Sequence, residues 1–322
     1  RDSSTSRGLG DVYKRQLFLV SIKMIGVIII MKNNLRFYQE HGIMTEIKTM
    51  KDMVTNIPKD IKTIISYVQN ILLHQQWSDA YGVKLSDKRK EEPFVRRFED
   101  KLIFLKNIGY NHISNKNQNV NKMIGICRDF TLAAVALCRE AGIPARARCG
   151  FASYLEKGKY IDHWVIEYWN EDKKSWVMVD AQLDDIQIDK LKVTFDPLDI
   201  SKEYFITGPR AWMMCREGLI EPELFGIFKW WGYDYLRCNL ILDANSLLKL
   251  EMQPWDIWEG YKSMPKEEWT QKDYEVMDHL SRLAMNVDNN FKDLYNYVQR
   301  NDKIKVPAVS YTHLTLPTIY SV

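Results

Sequence analysis

No Cys-x-x-Cys pair occurs in this chain, and its five cysteines, at 127, 138, 149, 215 and 238, are odd in number. That argues against a disulfide framework and against a structural zinc site, and it suits a reducing cytoplasm. A membrane span is not expected either. In LFLVSIKMIGVIII, residues 17–30, Lys23 interrupts an apolar run far shorter than the ~20 residues a membrane helix needs. The acidic stretch DDIQIDKLKVTFD, residues 184–196, lacks the spacing and the glycine of a calcium-binding loop, so no metal and no cofactor are expected. No internal repeat is visible.

Surplus charge is missing as well. The formal net charge is +3, but Arg1, Arg7, Lys14 and Arg15 against Asp2 and Asp11 account for +2 of it, and Lys23 for the remaining +1. Residues 1–16 and 308–322 do not continue the patterns beside them and read as translated adapter sequence. Residues 17–30 read as translated sequence upstream of a start at Met31. Residues 31–307 are then close to neutral, which gives no electrostatic reason to expect nucleic acid or a membrane surface as a partner.

What is present is ordinary globular composition, 46% apolar and 27% charged, enough for a sizeable core. Ile61, Ile64, Ile65, Val68, Ile71 and Leu72 recur at helical spacing and predict a helix over 58–77 with Pro58 in its first turn. The polar run 86–92 reads as a solvated loop or helix start. A second helix is expected over 94–108, closed by Gly109. The asparagine-rich segment 111–121 reads as a loop. A helix over 127–141 stops at Gly142 and Pro144, and strands are expected over 145–154, 161–169 and 175–180, the last two joined by a polar turn. A helix feeding antiparallel strands is an α+β arrangement. Beyond Asp180 the chain turns mostly helical and rich in tryptophan, with helices expected over 266–285 and 291–300. The expected organisation is a helical part over 31–110, a catalytic core over 111–200 and a helical, Trp-rich extension over 201–307.

Cys127 falls where a helix begins, so the unpaired N–H groups of the first turn and a histidine partner would lower its thiol pKa. Asp129, two residues on, opposes this. If the hairpin turn pairs Trp169 with Lys174, then His163 stands directly opposite Asp180, and opposed residues share a face with β-carbons about 5 Å apart. Cysteine, histidine and aspartate at these element ends make a nucleophile, a base and its orienter. The other four cysteines read as small buried hydrophobes. Arg128, Arg146 and Arg148 are candidates to bind a substrate carboxylate, although alternation puts Arg146 and Arg148 on one face of their strand and favours a solvated or structurally paired face over that role. Trp164 either shields the imidazole or packs the sheet. Gln118, Asn119 and Asn121 are the candidates for a second oxyanion donor beside the Cys127 N–H.

The runs GICRDFTLAAVALCREAGIPARARCGF (125–151), DHWVIEYW (162–169) and WVMVDAQLD (176–184) resemble the transglutaminase-like superfamily. HQQWSDAYGV (74–83), FDPLDI (195–200), AWMMCREG (211–218) and QPWDIWEG (253–260) resemble a bacterial group within it. The resemblance implies a papain-like core, a catalytic helix packed on an antiparallel sheet, with Cys127, His163 and Asp180 as triad; Trp164 and Arg128 are the residues expected to bind substrate beside it. It implies a thioester acyl-enzyme formed on a peptide-like amide and resolved by water, as in a thiol hydrolase, or by an amine, as in an acyltransferase. Protein crosslinking is an alternative, and a binding module that merely retains the fold is another.

Overall fold

The computed structural model describes residues 34–256, 258, 268–308 and 310; the expectations for 1–30 and for nearly all of 308–322 lie outside them. Helix α1 (Ile61–Ile71) starts at Asp60, whose carboxylate accepts the Thr63 N–H at 2.8 Å. It buries Ile64, Ile65, Val68 and Ile71, as their spacing demands. The predicted helix is too long at both ends. Pro58 lies ahead of the cap, and Leu72–His74 leave the helix to form strand β1. This strand pairs in parallel with β2 (Met123–Gly125), placing Leu72 beside Met123 and His74 beside Gly125. Tertiary pairing here overrides a local pattern that is equally apolar in either conformation.

Helix α2 (Phe98–Asn107) ends at Gly109, whose φ of +98° is a conformation that favours glycine. Helix α3 (Cys127–Glu140) follows β2 after one residue. Its Leu132, Ala133, Val135, Ala136 and Leu137 are fully buried against Ala145, Ala147 and Cys149 of strand β3 (Ala145–Ala152) and Trp164 and Ile166 of β4 (Tyr160–Asn170). Small alanines on both surfaces let helix and sheet approach closely.

Strand β5 (Ser175–Val179) pairs antiparallel with the second half of β4, and β3 pairs antiparallel along its whole length with β4. After α4 (Asp185–Leu191), β6 (Phe205–Thr207) adds to the outer edge of β3 over Gly150–Ala152. Helix α5 (Gly208–Arg216) leads to the short strands β7 (Phe225–Ile227) and β8 (Trp230–Trp231). Strand β7 runs parallel to the start of β4, so the sheet is mixed, where an antiparallel one is predicted. The remaining outer edge of β3 is covered by α6 (Tyr233–Ser246): Asp243 accepts the Cys149 N–H at 2.9 Å and Ser246 donates to the Ala147 carbonyl at 3.0 Å. Helices α7 (Gln271–Met285) and α8 (Val287–Gln299) close the described part of the chain. No described helix is long and apolar enough to cross a membrane.

Candidate active site

The site begins with the abrupt change from β2 to α3. Ile126 is extended, with φ −118° and ψ 173°, and its N–H donates to Asp129 Oδ2 at 3.0 Å, fixing the first turn. Cys127 is the first helical residue and is half-buried, whereas Cys138, Cys149, Cys215 and Cys238 are buried. The repulsion expected from Asp129 is countered on the spot. Its Oδ1 pairs with Lys101 Nζ at 3.0 Å and with Arg128 at 3.3 Å, all three groups being buried. Burial lowers the Lys101 pKa, and Asp129 works to keep its charge.

His163 and Asp180 meet, but not by the predicted register. The observed ladder pairs Trp169 with Trp176 and Ile166 with Val179, two residues away from the predicted alignment, and His163 lies opposite Gly150 of β3. A shift of two preserves the face, so Asp180 becomes a diagonal neighbour on the same side of the sheet as His163. Asp180 has by then left the ladder, its N–H donating to the Pro197 carbonyl at 2.9 Å. Its Oδ2 accepts His163 Nε2–H at 2.8 Å and the Tyr154 hydroxyl at 2.7 Å, and its Oδ1 accepts the Gln182 N–H at 2.9 Å. Burial would raise the Asp180 carboxyl, but His163 and these donors hold it below the usual range.

Burial also opposes the charge on His163, yet the Asp180 carboxylate and its hydrogen bond, with Cys127 beyond, raise the imidazole to about 10. The ring is therefore protonated at neutral pH. With Nε2 on Asp180, Nδ1 is the nitrogen that serves the thiol. Burial pushes the Cys127 thiol above its ordinary value and the His163 hydrogen bond pulls it back, so the depressed resting pKa expected from the helix start is not found. The imidazole is flanked edge-on by Tyr154 at 6.0 Å and Phe205 at 6.5 Å between ring centres.

Arg128 does not face a substrate. Its buried guanidinium donates to the carbonyls of Glu251 and Arg96 and to Asp129, tying the start of α3 to two loops. Trp164 points to the opposite face of β4 from His163 and is buried beside Cys149 in the core under α3, so it packs the sheet and is not what covers the imidazole. Arg146 and Arg148 are also internal: each bonds Glu167, Arg146 adds Asp288, and Arg148 grips Asp243 with two bonds of 2.9 Å. Gln118 and Asn121 are exposed and Asn119 is half-exposed on the turn before β2. Sequence reasoning missed Tyr154, Phe205 and His74 around this site. Tyr154 and Phe205 carry no motif. His74 does open HQQWSDAYGV, a run whose resemblance supplied no chemistry. Among the described residues no group of three His, Cys, Asp or Glu side chains is placed to hold a metal.

Residues 80–181 match the family model of the transglutaminase-like superfamily, a span that ends one residue past Asp180 and contains Cys127, His163 and Asp180. A search of curated proteins found no match. Among solved structures, the chain is similar to a "Putative Cysteine Protease from Cytophaga hutchinsonii" at 22% identity and a TM-score of 0.17. That alignment takes in 42% of this chain and 48% of the other, so the chain spans about half the length of the structure it matches. The chain carries a domain of the transglutaminase-like superfamily over residues 80–181.

Proposed function

We propose that the protein is a cysteine-dependent enzyme that opens amide bonds of peptides or peptide-like molecules through a thioester. The observation that carries this reading is the line of three side chains: a half-buried thiol at a helix start, an imidazole that serves it through Nδ1, and a carboxylate 2.8 Å from Nε2. A binding protein has no physical need for a buried imidazole held charged beside a thiol.

In the proposed reaction the Cys127 thiol loses its proton to solvent water, since His163 already carries one, and the sulfur of the resulting thiolate, paired with the imidazolium, bonds to the amide carbonyl carbon, moving the C=O electron pair onto oxygen. The Cys127 N–H, one of the unpaired donors of the first turn of α3, stabilises that oxyanion. Collapse of the intermediate breaks the C–N bond, and the leaving nitrogen takes the Nδ1 proton of His163. Asp180 holds the ring in place and keeps its charge favourable. Water, activated by the now neutral His163, then cleaves the thioester; an amine in its place would give acyl transfer. Five cysteines held as thiols suit work in the reducing cytoplasm.

The test is the rate at which a limiting dose of iodoacetamide labels each cysteine between pH 5 and 9, mapped by mass spectrometry, beside His163→Ala. Removing His163 removes the influence that lowers the Cys127 pKa, so the thiolate fraction at any pH below that pKa shrinks. Labelling of Cys127 at pH 7 should fall, with the rising limb of the profile moved to higher pH. A Cys127 rate indifferent to His163 would sink the proposal. For a positive result, a glutamine-containing peptide incubated with and without added amine separates hydrolysis from transfer.

A further inference from the structure

His74 is a buried titratable group to which the proposed reaction has given no work. Leu72 and His74 are two residues apart and share one side of β1. A β-carbon placed on Gly125, the register partner of His74, would lie 3.5 Å from Leu72 Cδ2 and 3.1 Å from Asp129 Cβ. That side of the β1–β2 pair therefore faces the first turn of α3, the turn that Cys127 opens. The His74 ring accordingly lies 6.3 Å from the Phe130 ring, centre to centre, with only 6% of the residue exposed.

Its tautomer is set by the backbone. Nδ1 accepts the Gln76 N–H at 3.3 Å, capping the short helix over Gln75–Tyr81, so in the neutral ring the proton sits on Nε2. We infer that His74 Nε2–H is the second oxyanion donor, a catalytic residue acting opposite the Cys127 N–H. The inference rests on the proposed thioester chemistry. It replaces the expectation that Gln118, Asn119 or Asn121 supplies that donor.

The electrical environment fits a neutral donor. Burial and then the positive charge of His163 press the His74 pKa down to about 3, against smaller opposite effects of Asp129 and Asp180. At neutral pH the ring is uncharged and holds a single N–H. A neutral imidazole polarises a developing oxyanion without giving its proton away. When sulfur bonds to the carbonyl carbon, the electron pair moves to oxygen and the Nε2–H hydrogen bond shortens; on collapse the pair returns as the C–N bond breaks. His74 ends each turn as it began.

Two reagents separate this role from a structural one. Iodoacetamide alkylates the Cys127 thiolate by displacement at carbon and needs no oxyanion hole, whereas p-nitrophenyl acetate acylates it through a tetrahedral oxyanion. In His74→Asn the amide oxygen can stand in for Nδ1 under Gln76, but no donor reaches the place of Nε2; in His74→Gln the amide nitrogen does. The expected result is that His74→Asn slows acylation of Cys127 about a hundredfold while alkylation keeps its rate, and that His74→Gln recovers most of the acylation. His74→Met reads the same loss should the asparagine variant not fold. Acylation unchanged in both donor-free variants, or acylation and alkylation falling in step, overturns the inference and leaves the thioester reading intact. A wild-type Cys127 that takes up neither reagent faster than cysteine in the urea-unfolded chain overturns both.

Discussion

Two clusters of buried charge lie on the same face of strands β3 and β4, and they differ in one respect. Around Glu167, each charged group meets partners that satisfy it. Arg146 bonds Glu167 at 2.6 Å and Asp288 at 2.7 Å, Arg148 bonds Glu167 and holds Asp243 bidentately, and the Arg146 guanidinium stacks 4.0 Å over Trp176. Burial would raise the Glu167 carboxyl, but the two arginines bring it to about 2. Around Asp180 the carboxylate is equally well bonded, yet its partner is an imidazole with a second nitrogen turned to a half-buried thiol. A closed network fixes structure, whereas a network ending on a group that can exchange a proton is equipped for chemistry.

Cutting each network in turn sharpens that contrast. The largest effect should come from Arg148→Met, which strands the buried Asp243 carboxylate and leaves Glu167 with Arg146 alone, and should cost about 3–5 kcal/mol of stability. A urea or thermal melt reads that loss, while the Cys127 alkylation rate of the protein still folded stays unchanged. Asp180→Asn should do the reverse, leaving the fold largely intact and slowing acylation of Cys127 by about a hundredfold or more. The sign of its pH effect follows from His163. Without the carboxylate that raises it to about 10, the imidazole loses its proton at lower pH, so the alkaline limit of the rate profile moves toward acid. A profile whose alkaline limb stays in place would mean that Asp180 does not set the His163 charge. Smallest should be Tyr154→Phe, which removes one of three donors to Asp180 and should slow acylation only a few-fold. A loss as large as that of Asp180→Asn would mean that the hydroxyl acts directly on the reacting atoms.

Much of this was legible because it depends on short-range pattern. Cys127 at a helix start follows from the apolar period of 127–140 and from the stop at Gly142, whose φ is +73°. The shared face of His163 and Asp180 follows from strand alternation alone, and it survived an error in register. That error came from the turn. The Asn170 side chain accepts the N–H groups of Asp172 and Lys173, and Lys174 takes a left-handed φ of +50°, so the ladder closes on Asn170 and Ser175. Turn chemistry of this kind is decided by one side-chain bond, which apolar periodicity does not report.

By itself, the sequence determined which residue types stand at which element ends, and thereby the line of Cys127, His163 and Asp180. Local backbone preference and two- or 3.6-residue periodicity are sufficient for that. Only the tertiary structure decided the rest. Arg128 is locked to the carbonyls of Arg96 and Glu251, Trp164 faces the core, and His74 leaves a predicted helix to lie in a strand beside Gly125. Each of these depends on contact with residues distant in the chain. Whether a guanidinium, an indole or an imidazole is free to act is set by which distant partners have already claimed its polar atoms.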